Sequence, residues 1–347
     1  MSSSQPRLLF VAPAAPPQPS EIAEFARGLG EAYQGPFHLI AHQEEASAGP
    51  EFVDRLLAGA EANAGWAQVV HLTDATLGHL APRLAGLTGA PVVLSVHGDD
   101  LPRASAEAMA TLRAAASDPR VTVVATCATV AREVERHLRI APRVITPGAN
   151  VMFWGKITTD RRHVDEFRRD HLDLPLGVRL ILSRGALLPR RGVAWFAREV
   201  LPRLPEDVRY VIAGDGADAA TVRTLDDPRV LWSPIRLPNE TAALFYCVDL
   251  AVFPGLPSPD APEGYRIDAA EASSAGAPVL LADIEGNADT AEELGLMTVP
   301  AGDAAAWARA VIAALDQPPA HRRPAIDWGY VGLQYLGLYR EVADLPA

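Results

Sequence analysis

The chain has 347 residues, about twice the length of an average domain, and this length predicts two domains. Its composition, 49% hydrophobic and 21% charged, is that of a packed globular protein and excludes extended disorder. The formal charge of −12 argues against nucleic acid as a partner, because a polyphosphate backbone is bound by a basic surface.

Cysteine and lysine are rare in this sequence, which excludes several kinds of site. Cys127 and Cys247 lie far apart without a CxxC pair, which excludes a disulfide framework or a cysteine-rich zinc site and favours the reducing cytoplasm. Lys156 is the only lysine and lies in Trp-Gly-Lys-Ile, so the chain has no Walker A loop. No apolar run reaches the ~18 residues of a membrane span.

Short apolar runs alternate with amphipathic stretches in the first half of the chain, which is typical of βα units on a buried parallel sheet. We interpret the first run as a strand rather than as a signal peptide. The predicted strands are Leu8 to Ala12, Phe37 to Ala41, Val69 to Leu72, Val92 to Val96, Thr122 to Ala125 and Arg143 to Thr146. The predicted helices are Glu21 to Tyr33, Phe52 to Ala64, Ala106 to Ala116 and Thr129 to Leu138.

The pattern breaks around Pro147-Gly148-Ala149-Asn150. A charged segment from Thr158 to His171 follows, which we interpret as the interdomain connection with a solvated helix face. Strands are then predicted at Arg179 to Ser183, Tyr210 to Ala213, Val230 to Trp232, Leu250 to Pro254, Val279 to Ala282 and Met297 to Val299. Together, the two sets predict an α/β protein with two Rossmann-like parallel-sheet domains, residues 1–150 and 151–324, and a cleft between them.

The segment from Pro262 to Val279 carries the strongest functional signal. Glu263 and Glu271 lie eight residues apart around the start of a helix predicted near Tyr265 to Ser274. A helix N-terminus at the carboxyl end of a parallel strand suits an anion such as a diphosphate. Carboxylates accept strong hydrogen bonds from sugar hydroxyls. The segment therefore predicts a site for a ligand that carries both groups.

This segment resembles the E-x7-E region of glycosyltransferase family 4, the retaining GT-B enzymes that use nucleotide sugars. Other stretches resemble that family in the same order along the chain: Val92 to Asp100, Pro147 to Asn150, Ser183 to Gly192, Tyr210 to Ala217 and Ala243 to Pro254. The resemblance covers nearly the whole chain. It implies a GT-B fold in which residues 325–347 cross back to the first domain.

The resemblance also implies roles for single residues. Glu263 would contact the hydroxyls of the transferred sugar, and Glu271 the hydroxyls of the ribose. His97 would face the sugar near the reacting carbon from the other domain. Arg191 stands where the family has its diphosphate-binding lysine, and an arginine can bind two phosphate oxygens. The backbone N–H groups that would bind the sugar and phosphates are those of Gly264, Tyr265, Arg266, Ile267 and Asp268.

The implied reaction is transfer of a sugar from a nucleoside diphosphate sugar to an acceptor hydroxyl, with retention, through an oxocarbenium-like sugar. Cations and a helix dipole would stabilise the leaving diphosphate, so neither a metal nor a cofactor is expected. The sequence holds no Asp-x-Asp pair for a divalent ion. The expected partners are the nucleotide sugar and an acceptor; the sequence identifies neither the acceptor nor the number of subunits.

Three departures from the family pattern concern the donor site. Ala186 stands where the family has a diphosphate arginine, and we hypothesise that Arg266, which replaces a family glycine, or Arg184 supplies the lost guanidinium. In the alternative interpretation, Arg266 points to solvent or fills part of the donor site. The family's glycine-rich N-terminal turn is here Pro13 to Pro19, without glycine. These departures keep a non-catalytic or regulatory GT-B-like protein as the first alternative.

A second alternative is an NAD(P)-dependent oxidoreductase. The stretch Gly214 to Ala219 matches G-x-G-x-x-A after a strand, although the fingerprint belongs on the first strand of its domain and this one follows the second.

Several polar and aromatic residues also have structural interpretations. His97 alone is open between a structural and a catalytic role, and His71 is interpreted as structural. Asp99 and Asp100 either line the acceptor pocket or form a turn. One C-terminal helix is predicted to pack an aromatic face formed by Trp328, Tyr330, Tyr335 and Tyr339.

Overall fold

The computed structural model describes residues 5–13, 21–42, 49–98, 100–101, 106–149, 177–233, 244–258, 263–317 and 326–345. The predicted connection from Thr158 to His171, the proline-rich loop beyond Pro13, and Asp99 lie outside these residues. The described residues form two compact units. Residues up to Gly148, residues 263–265 and the residues from Trp328 onward belong to the first unit, and the rest belong to the second.

The first unit is built on a six-stranded parallel sheet in the order β2-β1-β3-β4-β5-β6. Its strands are β1 (Leu8–Ala12), β2 (Phe37–Ala41), β3 (Val69–Leu72), β4 (Val92–Val96), β5 (Val121–Ala125) and β6 (Arg143–Val144). The central strands consist mainly of apolar residues and are buried along their length, as in sheets covered on both faces. All six predicted strands are confirmed, with small shifts only at the ends of β5 and β6.

Helices connect these strands. They are α1 (Glu21–Ala32), α2 (Pro50–Ala62), α3 (Ala81–Thr88), α4 (Ala106–Ala116) and α5 (Ala128–Leu138). A 3-10 helix, Ala75–Leu80, precedes α3, and the Asp74 carboxylate caps it by accepting a hydrogen bond from the Thr76 N–H. The four predicted helices are confirmed, whereas α3 and the 3-10 helix add to the prediction.

The second unit has its own six-stranded parallel sheet, in the order β12-β11-β10-β7-β8-β9. Its strands are β7 (Arg179–Arg184), β8 (Val208–Ala213), β9 (Val230–Ser233), β10 (Leu250–Phe253), β11 (Val279–Asp283) and β12 (Met297–Pro300). Counted within the unit, this is the Rossmann order 3-2-1-4-5-6. The first sheet instead begins 2-1-3, the flavodoxin-like order, so the two units share an architecture and differ in topology.

Helices of the second unit cover both faces of its sheet. They are α6 (Ala219–Arg223), α7 (Ile267–Ala275), α8 (Glu285–Leu294) and α9 (Ala304–Asp316). A continuous stretch of Val193–Trp195, Phe196–Val200 and Leu201–Arg203 passes from α- through π- to 3-10-helix. Its Phe196 ring packs 5.0 Å from Tyr210 and 5.6 Å from Trp307, centroid to centroid, in the core of the unit.

The last helix, α10 (Trp328–Val342), packs in the first unit. Trp328 lies against α1 where Gly28 leaves room, since a Cβ there would overlap the indole ring. Tyr335 and Tyr339 share this buried face, but Tyr330 is 58% exposed. The predicted aromatic face is therefore wrong for Tyr330, because a 3.6-residue period places residue 330 away from residues 328, 335 and 339.

Candidate active site

The switch point of the second sheet lies between β7 and β10, where the order of the strands reverses. Ligands of open α/β sheets bind outside the carboxyl ends of the strands at such a point. Arg184 is the last residue of β7, and Phe253 is the last residue of β10. Helix α7 follows β10 along the chain, and its N-terminal residue, Ile267, is buried.

An ion pair joins β7 to α7 beside this switch point. Arg184 Nη1 lies 2.9 Å from Glu271 Oε2, and the exposed fractions of the two side chains are 18% and 3%. The Arg184 guanidinium also lies 5.9 Å from the centre of the Phe245 ring. Glu271 is thus held by a cation at the position predicted for ribose binding, and Arg184 already neutralises one carboxylate.

A second, more deeply buried ion pair opens α7. Arg266 Nε and Nη2 donate to the two carboxylate oxygens of Asp268 over 3.0 and 2.7 Å. The guanidinium lies 5.0 Å from the centre of the Phe253 ring, and the Arg266 backbone N–H donates to Thr290 Oγ1. Arg266 is only 5% exposed, so the interpretation that it points to solvent is wrong. Its charge is matched within the chain by Asp268.

The glycines of the second unit pack loops onto one another. A Cβ at Gly214 would overlap the carbonyl oxygen of Gly185, and a Cβ at Gly216 would lie 2.5 Å from that of Leu187. The G-x-G-x-x-A stretch therefore uses its two glycines for contact with the loop after β7. It also follows β8, which lies to one side of the switch point, and both observations count against a nicotinamide site there.

Arg191 lies at the end of a 3-10 turn, Pro189–Arg191, and is 6% exposed. The turn ends at Gly192 with φ of 67°, where a Cβ would overlap the Pro254 carbonyl oxygen beyond β10. The Leu256 N–H donates to the Arg190 carbonyl over 2.7 Å and ties the same two loops together. Arg191 is thereby held in a loop that packs against the carboxyl end of β10.

His97 occupies the carboxyl end of β4 in the first unit and is 7% exposed. Its Nε2 lies 3.0 Å from the Thr73 carbonyl oxygen, which can only accept, so Nε2 carries the proton. The Phe25 ring packs edge-on at 4.8 Å between ring centroids. Asp100 Oδ2 accepts from the N–H groups of His97, at 2.7 Å, and Ala75, at 3.2 Å. Of the two interpretations of Asp100, the structure supports the turn.

Two glycines join the motifs of the first unit. A Cβ at Gly98 would overlap the Gly264 nitrogen, and a Cβ at Gly264 would lie 2.8 Å from the Gly98 nitrogen. The main chains therefore touch directly, which places His97 and Glu263, the neighbours of these glycines, on adjoining segments of one unit. Glu263 is 5% exposed, and Tyr265 is buried as well.

His71 is a second buried histidine of the first unit, on β3. Its Nδ1 lies 2.6 Å from the Tyr339 hydroxyl and its Nε2 lies 2.9 Å from Ser95 Oγ, which is 3.1 Å from the Tyr335 hydroxyl. Burial, and secondly the charge of His97, lower the pKa of His71 to about 3. His71 is therefore neutral and ties α10 to the sheet, in agreement with its structural interpretation.

The predicted site residues form two groups. Arg184, Arg191, Arg266, Ile267, Asp268 and Glu271 belong to the second unit, and His97, Glu263, Gly264 and Tyr265 belong to the first. The prediction missed Phe253, which lies under Arg266, and Thr290, which holds the Arg266 main chain. Phe253 could have been found from its position near the end of a predicted strand. No feature of the sequence points to Thr290.

Comparison with known proteins follows the same division. Residues 178–317, most of the second unit, match the model of a family described as Glycosyl transferases group 1. No curated protein matches the sequence.

Solved structures match over almost the whole chain. HepE from Anabaena, in complex with UDP-glucose, is 14% identical over 98% of both chains, with a TM-score of 0.70. Sucrose-phosphate synthase from Thermosynechococcus elongatus is 16% identical over 98% of this chain and 96% of its own (TM-score 0.70). The catalytic domain of starch synthase IV from Arabidopsis thaliana, bound to ADP and acarbose, is 12% identical over 99% and 100% (TM-score 0.68).

The fold is GT-B. This confirms the predicted fold class, two Rossmann-like parallel-sheet units, whereas membership of family 4 stays a prediction. In the described part of this GT-B chain, no three His, Cys, Asp or Glu side chains group as metal ligands. None of its described helices is long and apolar enough to cross a membrane.

Proposed function

We propose that the chain is a retaining glycosyltransferase of family 4 type that moves a sugar from a nucleoside diphosphate sugar to an acceptor hydroxyl, without a metal ion. The Arg184–Glu271 pair carries the proposal. It lies at the switch point of the second unit, inside the 178–317 segment that matches the group 1 glycosyl transferases. A buried carboxylate at this point suits the paired hydroxyls of a ribose.

Two positive groups of the second unit support a role in stabilising a leaving diphosphate. Arg191 supplies a buried guanidinium, and the first turn of α7 supplies the positive end of a helix dipole. Both are fixed before reaction, so they cost no reorganisation as negative charge develops. No dedicated base is then required, because the acceptor hydroxyl attacks the face that the diphosphate leaves and passes its proton to the departing phosphate oxygen.

Glu263 and His97 are the proposed contacts of the transferred sugar. Because Nε2 of His97 is committed to the Thr73 carbonyl, its action on the sugar would run through Nδ1 or through the ring edge. The role proposed for Glu263 is supported by its position next to Gly264, whose main chain touches that of Gly98. Cys127 and Cys247 are buried and form no disulfide, which supports a cytoplasmic location for this activity.

One observation favours a second candidate, a GT-B-like protein without donor chemistry. Ala186 leaves out one cation, and both candidate replacements, Arg184 and Arg266, already pair with carboxylates of the chain.

Release of nucleoside diphosphate from a panel of nucleotide sugars tests the proposal, with and without EDTA. We expect one donor to be turned over at equal rates in both conditions, and proton NMR to show a product with the donor's anomeric configuration. An inverted product would contradict retention, and loss of activity in EDTA would contradict metal independence. Binding of a nucleoside diphosphate without any turnover would favour the second candidate.

A further inference from the structure

The N-terminus of α7 already holds an anion that belongs to the chain. Asp268, in the first turn, accepts the Ala269 N–H at 3.0 Å through Oδ1 and both hydrogen bonds of the Arg266 guanidinium. A planar guanidinium and the N–H groups of a helix start are the donors that phosphate groups use in proteins. The Asp268 carboxylate thus takes up the kind of donors that a diphosphate oxygen pair requires.

The position of this carboxylate places it at the switch point. Asp268 Oδ2 would lie 2.6 Å from a Cβ at Gly185, so the carboxylate lies directly against the loop that follows β7. Phe253, the last residue of β10, packs under the paired guanidinium. The ion pair therefore lies at the ends of the two strands that define the switch point, in a setting that is 5% exposed on both sides.

The burial of the Arg266–Asp268 ion pair affects how a second anion, such as a diphosphate, can bind there. An unpaired charge in this setting is costly, so Arg266 needs one carboxylate or phosphate at all times, and two anions cannot share it without repulsion. We propose that Asp268 is a resident competitor for the donor's diphosphate: donor binding moves Arg266 from Asp268 to the diphosphate by exchange of ion-pair partners, and the cost of separating the buried Asp268 carboxylate from its guanidinium weakens donor binding. This inference rests on the proposed function and adds a residue that sets donor affinity.

Asp268→Asn tests the exchange, because it removes the competing charge and keeps the shape. Isothermal titration with UDP, GDP, ADP, CDP, dTDP and inorganic pyrophosphate is run on the parent and the variant. We expect the dissociation constant of the ligand that binds to fall by about tenfold, the lower range for one charge-assisted hydrogen bond. Asp268→Ser is the second variant if the first does not fold, since its hydroxyl can still accept the Ala269 N–H.

Asp227→Asn is the matched control. Asp227 holds Arg229, also two residues away, through both carboxylate oxygens at 3.1 and 2.8 Å, near β9 rather than at the switch point. Asp227→Asn changes the net charge by the same amount as Asp268→Asn and should leave the dissociation constant of the nucleoside diphosphate unchanged.

Arg266→Gln in the Asp268→Asn background separates exchange from simple loss of charge. If Arg266 moves to the diphosphate, the double variant loses the tightening and returns to within about threefold of the parent. Tightening that survives in the double variant, or Asp268→Asn binding no tighter than the parent, would overturn the proposal. If the parent binds no nucleoside diphosphate, the proposed function fails, and the pyrophosphate titrations alone decide the exchange.

Discussion

The two units of this GT-B chain hold their buried polar groups by different interactions. In the first unit, His71, Ser95 and His97 form hydrogen bonds with hydroxyls and carbonyls, His71 is neutral, and the Asp100 carboxylate accepts two backbone N–H groups. At the switch point of the second unit the buried groups are ions, the pairs Arg184–Glu271 and Arg266–Asp268. A neutral network holds shape without creating a field, whereas paired ions can be re-paired by a charged ligand.

This difference separates the expected effects of substitutions. Changes at His71 and His97 in the first unit should alter stability or turnover and leave nucleoside diphosphate affinity intact. Changes at the switch point of the second should alter that affinity.

The largest effect is expected at His97. His97→Ala should lower kcat by about a hundredfold, the loss typical of one preorganised polar group at a reacting centre, with no change in the dissociation constant of the nucleoside diphosphate. Steady-state kinetics and titration calorimetry measure the two quantities. His71→Ala is the matched control and should retain kcat while it melts at a lower temperature. Full turnover by the His97→Ala variant would show that His97 is not part of the active site.

The contact between Gly98 and Gly264 predicts the next effect. Gly98→Ala places a Cβ into the main chain of Gly264 and should destabilise the protein by about 2 kcal/mol, as overpacking does. Gly86→Ala, inside α3 with no neighbouring atom within 4 Å of the new Cβ, should instead stabilise it by about 0.5 kcal/mol. Urea unfolding compares the two. Equal shifts for both variants would contradict the direct contact of the main chains.

Glu271 tests the second unit. Glu271→Ala should raise the dissociation constant of the nucleoside diphosphate by about tenfold, through loss of a charge-assisted hydrogen bond to the ribose. Titration of the matching deoxyribose nucleotide should then show a smaller difference between parent and variant. Unchanged affinity in Glu271→Ala would place the ribose elsewhere.

The last effect concerns the dependence of stability on pH. Burial holds the pKa of His71 at about 3 in the folded chain, below its ordinary 6.5, so the unfolded chain binds one more proton between these values. Stability from this group is complete above about pH 6.5 and falls by up to about 1.4 kcal/mol per pH unit below it. His71→Gln should show a shallower decline between pH 6 and pH 4.5 in urea unfolding. Parallel declines would mean that His71 titrates normally.

The strands could be predicted from the sequence because this fold buries them, and buried strands are rich in apolar residues. The run from Val92 to Val96 is apolar except for Ser95 and is soon followed by Gly98, so its bounds follow from composition. The strand order was not predictable, since β1 pairs with β3 across a whole βα unit and no local pattern records that choice. The bond between His71 and Tyr339 joins residues 268 positions apart, beyond the reach of any sequence window.

The pairing of the candidate site residues was not predictable from the sequence, and the functional roles of these residues stay predictions. The spacing of Glu263 and Glu271 marks a helix start from sequence alone. Arg266 was a candidate cation because it replaces a glycine. That it binds Asp268, two residues on, depends on the turn into α7 and on Phe253 beneath the guanidinium, both features of tertiary structure.

Thermal stabilisation by nucleotides tests the central claim most directly. The panel contains UDP, GDP, ADP, CDP, dTDP, NAD and NADP. A ligand at ~100 times its dissociation constant adds about 2.7 kcal/mol to the free energy of unfolding. For a domain of about 150–250 residues, this raises the Tm by about 5–10 °C. We predict such a shift with one nucleoside diphosphate and none with NAD or NADP. Shifts with NAD or NADP alone, or none with any nucleotide, would contradict a nucleotide-sugar glycosyltransferase.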